Sequence, residues 1–256
     1  MSVLVTGGSG FVGSHLVARL RAAGHGVRAL ARDRKRLSRA LAPHEVDTVE
    51  VVEGDVRDPS AVRRAVAGCA AVVHAANVYS LDVRRRREMH DTNLSGTRLV
   101  LNAAVEAGCD PVVHVSSMTA LLPAQRIAAD DPAIGSNQRT AYIGSRVRAE
   151  LIARSLQDEG APVVTTYPGA AYGPHDPAAG EMVDVLGGML GGMYALGMGG
   201  NPAFSISDVR WIADAHVGLL TAGHGWSPRG PRPNTPWVTP AGRRSAGRRS
   251  VVGTGR

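Results

Sequence analysis

The amino-acid sequence predicts an α/β fold, a doubly wound parallel sheet with helices on both faces. Short apolar runs alternate with helical patterns through the first two-thirds of the chain, which is typical of βαβ units. A glycine-rich turn joins the first apolar run to the first helical pattern. The 256 residues are enough to bury a sizeable core. We therefore expect one large domain with a small appendage.

Six strands are expected in the main sheet. They are predicted at residues 2–6, 27–31, 48–52, 71–74, 112–116 and 162–167. Helices are predicted between them at residues 11–23, 60–67, 84–107 and 140–159. Gly24, Gly108 and Gly160 follow three of these helices, as glycine often does at a helix C-terminus.

The pattern weakens beyond Gly169. Residues 187–202 are so rich in Gly and Met that no helix is assigned there, whereas residues 204–207 predict a short strand and residues 209–220 a helix. From residue 223 onward Gly, Pro, Arg and Ser dominate, which predicts a largely disordered tail. The expected organisation is a main domain over residues 1–168, a small and truncated C-terminal region over 169–222, and a basic tail over 223–256.

The net charge of +7 comes from the end of the chain. No acidic residue follows Asp214, but seven arginines do: Arg229, Arg232, Arg243, Arg244, Arg248, Arg249 and Arg256. Subtracting these 7 from the 29 basic residues leaves 22, equal to the 22 acidic residues. Because basic charge in a terminal tail without an aromatic platform is typical of a solvated end, we expect no nucleic-acid partner.

Other features narrow the class of protein. Glycines at positions 7, 8, 10 and 13 interrupt the apolar start of the chain, so a signal peptide or membrane span is not expected. The predicted location is the cytoplasm, with no membrane partner. Cys69 and Cys109 lack metal-ligand spacing and are predicted to be buried free thiols, and no metal is expected.

The first turn carries the strongest chemical signal. Gly7, Gly10 and Gly13 stand three residues apart between a strand and a helix. In a dinucleotide-binding Rossmann turn, the first glycine permits the tight turn, the second lets the backbone approach the pyrophosphate, and the third lets the helix pack on the sheet. The residues assigned to this part of the cofactor site are Thr6, Gly7, Gly10, Phe11, Val12 and Gly13.

The end of the second strand bears on the choice of cofactor. Arg32, helped by Arg34, Lys35 or Arg36, provides the positive charge that binds a 2′-phosphate, which favours NADP(H). Asp33 favours the ribose hydroxyls of NAD(H), so NAD(H) stays possible. The alternative is that these charges simply face water at the start of a helix.

Two further segments follow strands at the edge where such sheets bind ligands. Gly54 and Asp55, followed by Val56, are expected near the adenine. Ala75 and Ala76, within the run from His74 to Asn77, are expected to form a floor of small residues under the cofactor.

Seven motifs occur in one order along residues 1–220. They are Thr6-Gly7-x-x-Gly10-x-x-Gly13, Gly54-Asp55, His74-Ala75-Ala76, Asn93-x-x-Gly96-Thr97, Val115-Ser116-Ser117, Tyr142-x-x-x-Arg146, and Pro168-Gly169 with Gly173-Pro174. With these motifs the chain resembles the extended short-chain dehydrogenase/reductase superfamily, in particular its NAD(P)-dependent epimerase/dehydratase and dihydroflavonol-reductase-like group.

The resemblance implies roles for individual residues. Tyr142 would be the general acid/base, and Ser117 would position the substrate oxygen, with Ser116 as second choice. Asn93 matches an asparagine that supports a proton relay in many members and serves structure in others. Pro168 is assigned to the cofactor site.

The chain departs from the family pattern at several positions. Arg146 stands where the family has a lysine that holds the nicotinamide ribose, and Lys35 is the only lysine in the chain. Arg146 keeps the positive charge but cannot release a proton near neutrality. Tyr167 replaces a common arginine, and Trp211 replaces a common aspartate. The basic tail stands where family members continue their substrate domain.

The expected activity is an NADP-preferring oxidoreductase that transfers hydride between the nicotinamide and a small-molecule carbonyl or carbinol substrate. One alternative is an NAD-dependent sugar-nucleotide epimerase or dehydratase. Another is a cofactor-binding protein with little turnover, because Arg146 replaces the lysine. The resemblance also implies a homodimer through the helices at residues 84–107 and 140–159.

Overall fold

The computed structural model describes residues 1–80, 82–121, 141–178, 183, 187–188, 191 and 206–221. Their main feature is a six-stranded parallel sheet. Its strands are β1 (Ser2–Thr6), β2 (Gly26–Ala31), β3 (Glu50–Glu53), β4 (Ala71–His74), β5 (Val112–Val115) and β6 (Val163–Thr166). Their order is β3-β2-β1-β4-β5-β6, which confirms the predicted doubly wound sheet. The chain reverses direction across the sheet between β1 and β4, where open α/β sheets bind ligands.

Helices connect the strands and cover both faces of the sheet. They are α1 (Phe11–Ala22), α2 (Arg34–Leu41), α3 (Pro59–Val66), α4 (Arg86–His90), α5 (Thr97–Glu106), α6 (Ala141–Asp158) and α7 (Val209–Thr221). A π-helical turn at Asp91–Gly96 joins α4 to α5. The single helix predicted at residues 84–107 is therefore present but interrupted.

Some elements differ from the sequence expectation. Helix α2 was not predicted, because its many charges hide a short apolar stripe formed by Leu37, Ala40 and Leu41. Strand β3 lies about two residues later than predicted, since this edge strand has only a half-buried pattern. A separate parallel pair is formed by β7 (Ala170–Tyr172), which was not predicted, and β8 (Ile206–Asp208), predicted slightly earlier.

The core consists of two apolar layers, one on each face of the sheet. Alternate residues of β1 enter opposite layers: Val3 and Val5 pack in one layer and Leu4 packs in the other. Helices α1, α2 and α7 close the first layer, and α3, α5 and α6 close the second. Each fully buried Leu or Val contributes roughly 1.5–3 kcal/mol through the hydrophobic effect. These layers fix the strand ends at the ligand-binding edge.

A buried polar row crosses the sheet inside the second layer. Thr6, His74, His114 and Thr165 occupy paired register positions on β1, β4, β5 and β6, so their side chains share one face. The two imidazole rings stack with centroids 5.9 Å apart. Burial, with a smaller effect of Arg146, lowers the pKa of His74 to about 3. Burial also holds the pKa of His114 well below its usual range, with His74 and Arg146 adding to the effect.

Hydrogen bonds fix the tautomer of His74. The Thr97 hydroxyl donates to the carbonyl oxygen of Asn93 at 2.6 Å, so it accepts from His74 Nε2 at 3.0 Å. Nδ1 is then an acceptor for the Thr6 hydroxyl at 2.7 Å. His74 is therefore neutral and serves as an internal crosslink between β1, β4 and α5.

The buried histidines predict acid destabilisation. Burial lowers the pKa of His216 on α7 to about 4. An unfolded histidine binds a proton near pH 6.5, so between pH 6.5 and 4 the unfolded chain holds more protons than the folded one. The free energy of unfolding should therefore decrease as the pH is lowered through this window, by up to about 1.4 kcal/mol per pH unit for each buried histidine.

Urea unfolding from pH 7.5 to 4 measures this slope, and His216→Gln should reduce it by about one histidine's share. His90→Gln is the matched control, because the His90 side chain on α4 is 46% exposed. An unchanged slope in His216→Gln would contradict the assignment of a buried neutral His216.

Candidate functional site

The glycine turn after β1 is packed against the end of β4. The Gly10 amide donates to the Gly7 carbonyl oxygen at 2.9 Å, which closes the turn. Gly7 has a φ of +78°, and a Cβ there would lie 2.7 Å from backbone atoms of Ala75 and Ala76. Only glycine satisfies both conditions at this position.

Helix α1 approaches the same turn closely. A Cβ on Gly13 would lie 2.1 Å from the Gly7 carbonyl oxygen, so the third glycine lets the helix pack on the loop. The N-terminus of α1 has no side-chain cap and no acidic residue in its first turn. Its free backbone N–H groups and its helix dipole therefore favour an anion at this end.

A cleft extends from this turn along the carboxyl ends of the strands. Its lining residues are Gly7, Ser9, Gly10, Leu30, Ala31, Arg32, Arg36, Gly54, Asp55, Val56, Ala75, Ala76, Asn77, Val78 and Thr92. The structure thus brings together most residues that the sequence assigned to a cofactor. The π-helical turn before α5 adds Thr92, which no sequence motif indicated. Such turns are frequent at functional sites.

Other residues assigned to the cofactor are not among the residues that line the cleft. The Thr6 hydroxyl is buried between His74 Nδ1 and the Ala76 amide, at 2.7 and 3.2 Å. Phe11 and Val12 start α1, where Val12 packs against the core. Pro168 is buried after β6, and its carbonyl oxygen accepts from the Met118 amide. The contacts described for Thr6, Val12 and Pro168 are thus internal to the fold.

The charged residues at the start of α2 have different surroundings. Arg32 is half-exposed at the cleft, 4.0 Å from Asp55, and Arg36 also lines the cleft. Asp33 caps α2 by accepting from the Lys35 and Arg36 amides at 2.8 and 3.1 Å. The Arg36 and Lys35 amides hold the pKa of Asp33 low. Asp33, the residue that favoured NAD(H) in the sequence, thus uses its carboxylate as the N-cap of α2.

Arg34 serves a different purpose from Arg32. Its guanidinium lies 3.4 Å from Glu53 and donates to the Val51 carbonyl oxygen at 3.3 Å. Both partners are on the edge strand β3. Arg34 thus belongs to the sheet edge, and Arg32 and Arg36 are the basic residues at the cleft.

Asp55 is a fixed negative charge in the cleft. Arg57 binds its two carboxylate oxygens at 2.9 and 2.7 Å. The hydrogen bond from the Arg57 side chain is the main reason why the pKa of Asp55 is lowered. Asp55 is therefore ionised at neutral pH and accepts hydrogen bonds only.

Tyr142 and Arg146 lie one turn apart near the start of α6. The half-buried Tyr142 ring packs edge-on against Tyr79, with centroids 4.7 Å apart, and the Arg146 guanidinium carbon lies 6.0 Å from the Tyr142 centroid. Arg146 is 5% exposed. Its terminal nitrogens donate to Asn77 Oδ1 at 3.1 Å and to the Val115 carbonyl oxygen at 3.0 Å. This side chain joins α6 to the ends of β4 and β5.

The two candidate serines differ in their hydrogen bonds. Ser117 Oγ accepts from the hydroxyl and the amide of Thr119, at 3.0 and 3.3 Å. Ser116 Oγ is buried and has no partner among the described residues. Ser117 is only partly buried, which leaves it the more accessible of the two.

Asn93 is engaged on all sides. Its Oδ1 accepts from the Val78 amide at 2.8 Å, and its Nδ2 donates to the Val78 carbonyl oxygen at 2.9 Å and to Ser145 Oγ at 3.0 Å. This geometry anchors the segment after β4 to the π-helical turn and to α6. A structural role for Asn93 accounts for every described contact of its amide.

Tyr167, which replaces an arginine common in the family, belongs to a buried network. Its hydroxyl donates to the Glu150 carboxylate and accepts from Arg154 NH2 at 3.1 Å. Arg154 also pairs with Glu150 at 2.8 Å. Burial and the Glu150 charge raise the pKa of Tyr167, so its hydroxyl stays protonated. Trp211, the other departure, is 52% exposed on α7.

These features define a Rossmann-type protein of the dinucleotide-binding class. A helix N-terminus and a glycine turn face a cleft at the switch point, and Asn77 in that cleft accepts a hydrogen bond from Arg146, which lies one helical turn from Tyr142. The model of the NAD dependent epimerase/dehydratase family matches residues 3–224. The chain belongs to this family, which confirms the resemblance to the extended short-chain dehydrogenases/reductases.

Individual relatives support the same family. The chain is 33% identical over 198 residues to a dTDP-4-dehydro-6-deoxy-D-allose reductase of Streptomyces bikiniensis, covering 71% of this chain and 60% of that protein. It is 31% identical over 185 residues to a 2-alkyl-3-oxoalkanoate reductase of Stenotrophomonas maltophilia, covering 69% and 52%. The chain spans less than two thirds of the length of either of these relatives.

A solved structure gives the same fold. The structure of dTDP-glucose 4,6-dehydratase from Streptomyces venezuelae with NAD bound has a TM-score of 0.68 and 27% identity. The match covers 87% of this chain and 72% of that one.

Some expectations concern parts of the chain that the structure leaves undescribed. The tail at residues 223–256 and most of residues 187–202 lie outside the described residues. Within the described segments, no helix has the length and apolar character needed to cross a bilayer. The same segments hold no group of three or more side chains suited to bind a metal ion. Cys69 and Cys109 are buried free thiols, as predicted.

The contact between α1 and the glycine turn can be tested by adding one methyl group. Gly13→Ala forces a Cβ against the Gly7 carbonyl oxygen and should lower the free energy of unfolding by about 1–3 kcal/mol. Gly218→Ala on α7 is the matched control, because a Cβ there meets no atom within 4 Å. It should be neutral or stabilising by up to about 1 kcal/mol. Equal urea midpoints for the two variants would show that the turn is not packed this closely.

Proposed function

We propose that the protein is an NAD(P)-dependent oxidoreductase of the extended short-chain type, with NADP(H) preferred. The observation that carries this proposal is the cleft itself. Its lining includes Arg32 after β2, the glycine turn after β1 and Asn77 after β4, and Asn77 accepts a hydrogen bond from Arg146, one turn from Tyr142. When bound, the dinucleotide supplies or accepts a hydride at the nicotinamide.

The residues that line the cleft supply groups suited to each part of a dinucleotide. The glycine turn and the first amides of α1 would hold the pyrophosphate, because backbone donors and the helix dipole converge there. Asp55 and Val56 would contact the adenine side, and Ala75 and Ala76 would form the floor. Arg32 and Arg36 would bind the 2′-phosphate in charge-assisted hydrogen bonds, while Asp33 is held in the cap of α2.

Tyr142 would donate the proton to a carbonyl oxygen in reduction, or accept it from a carbinol in oxidation. Ser117 would orient that oxygen by a hydrogen bond. The buried positive charge of Arg146 would stabilise the phenolate that this proton transfer requires. Because arginine does not release a proton near neutrality, Arg146 would enter this proton transfer as a fixed charge.

The regions of the chain would divide the work. Residues 1–168 would bind the cofactor, and residues 169–222 would contribute to a site for a small-molecule carbonyl or carbinol substrate. The reductases among the relatives favour reduction of a carbonyl group as the reaction. Epimerisation of a sugar nucleotide is the alternative reaction within the family. A homodimer would form through α5 and α6, and the exposed Leu151 on α6 supports an apolar contact there.

A second candidate function is a cofactor-binding protein with little turnover. It is favoured by the geometry of Arg146, whose two terminal nitrogens are both occupied by protein acceptors. A lysine at this position would carry a compact ammonium that is free to reach a ribose. A large rise in hydride transfer in Arg146→Lys would favour this second function.

The cofactor choice can be tested at α2. Arg32→Ala should weaken NADPH binding about tenfold or more, because it removes a charge-assisted hydrogen bond, and should change NADH binding by less than about threefold. Arg34→Ala is the matched control, since it removes the same charge from the sheet edge. Titrations followed by nicotinamide fluorescence give both dissociation constants. Equal losses for the two cofactors in Arg32→Ala would refute the NADP preference.

The chemical role of Tyr142 can be tested separately from binding. With NADPH and a panel of ketones and aldehydes, Tyr142→Phe should lower kcat by about 100-fold or more, because the proton donor is lost. The NADPH dissociation constant and the Tm should stay within error of wild type. Retained turnover in Tyr142→Phe would exclude Tyr142 as the acid/base.

A further inference from the structure

We propose that Asn77 contacts the cofactor directly, donating a hydrogen bond from Nδ2 to an oxygen in the nicotinamide half of the dinucleotide. Arg146 holds the Asn77 amide in the orientation that makes this possible. The inference rests on the proposed function, and it assigns to the Asn77 side chain a specific hydrogen bond, whereas the sequence predicted only a floor of small residues in the run from His74 to Asn77.

The orientation of the Asn77 amide follows from the chemistry of its partner. An asparagine side chain has one acceptor oxygen and one donor nitrogen, and their assignment depends on the neighbouring groups. A guanidinium only donates. The Asn77 atom that lies 3.1 Å from Arg146 NH1 must therefore be Oδ1, which turns Nδ2 away from Arg146.

Arg146 is itself held in place. Its other terminal nitrogen donates to the Val115 carbonyl oxygen at 3.0 Å, and the side chain is 5% exposed. A rotation of the Asn77 amide would set two donors against each other and leave a buried guanidinium N–H without an acceptor. Leaving such a group unpaired costs about 1–3 kcal/mol or more. The orientation is therefore strongly preferred.

Asn77 Nδ2 is available to a ligand. Asn77 is half-buried and lines the cleft beside Ala75 and Ala76. No described residue accepts a hydrogen bond from its Nδ2. In the free protein this donor bonds water, and a ligand acceptor that enters the cleft can take the place of that water.

The position of Asn77 in the cleft indicates which half of the dinucleotide it meets. Arg32 and Arg36 mark the end that would take the 2′-phosphate and the adenosine. Asn77 lies three residues beyond the end of β4 and is bonded to the helix that carries Tyr142. Its acceptor is therefore a ribose hydroxyl or phosphate oxygen on the nicotinamide side. Arg146 acts on the cofactor through Asn77 and is a positioning residue.

Asn77→Asp distinguishes the acceptor function of the Asn77 amide from its donor function. The carboxylate keeps an acceptor for Arg146, so the Tm should not fall, but it replaces the Nδ2 donor by an oxygen. NADPH should then bind about tenfold more weakly, as expected for a lost hydrogen bond facing an acceptor. Adenosine 2′,5′-bisphosphate lacks the nicotinamide half, and its affinity should change by less than about threefold.

The matched control is Asn102→Asp on α5, which makes the same chemical change outside the cleft lining. It should leave both affinities unchanged. Asn77→Ala is the second variant, for use if Asn77→Asp does not fold. It should show the same selective loss of NADPH affinity. If wild type binds NADH more tightly than NADPH, NADH and AMP replace the two probes.

Three results would overturn the inference. Wild-type NADPH affinity in both Asn77 variants would show that the amide does not meet the cofactor. Equal losses for NADPH and adenosine 2′,5′-bisphosphate, together with a lower Tm, would show a purely structural role. Failure of the wild-type protein to bind either nicotinamide cofactor would remove the proposed function, and the inference with it.

Discussion

The close approach of three backbone segments is the constraint on which the site depends. The glycine turn lies against the end of β4 at Gly7 and against α1 at Gly13, and neither contact leaves room for a Cβ. Because the turn packs closely between β1, β4 and α1, the backbone amides at the N-terminus of α1 face the switch point of the sheet. The cleft follows from this packing, and the side chains of Arg32, Asp55 and Asn77 then line it.

A second organising feature is the buried charge of Arg146. It ties α6 to the ends of β4 and β5 through Asn77 and the Val115 carbonyl oxygen. The same charge adds to the burial that keeps His74 and His114 neutral. Arginine in place of a lysine therefore does more than preserve a charge in this chain. The planar guanidinium of Arg146 binds two acceptors at once in a fixed geometry. A lysine ammonium at the end of a flexible side chain would hold the same two acceptors less rigidly.

Much of the fold could be predicted from the sequence, because buried parallel strands give continuous apolar runs and glycines mark the helix ends. The exceptions have local causes. Helix α2 was missed because its charged residues outnumber its apolar stripe, and Asp33 was considered a ribose ligand although it is the N-cap of that helix. An aspartate four residues before an apolar position, at the start of a charged run, is a helix-start signal that could have revealed both.

The site was predictable only in part, for a physical reason. Spacing identifies residues on one turn or helix, such as Gly7, Gly10 and Gly13, but it does not show which side chains meet across elements. Thr6 and Asn93 turn inward to His74 and Val78, and Asn77 meets Arg146 from 69 positions away. An arginine in the lysine position signals that an acceptor must lie nearby, but only the fold identifies that acceptor as Asn77.

The central claim is that the cleft at the switch point binds NADP(H) with its phosphates on the glycine turn and α1. A crystal structure of the protein with NADPH tests it most directly. The account predicts pyrophosphate oxygens within hydrogen-bond distance of the first amides of α1, and the 2′-phosphate between Arg32 and Arg36. A dinucleotide bound at another edge of the sheet, or a 2′-phosphate turned away from both arginines, would contradict it.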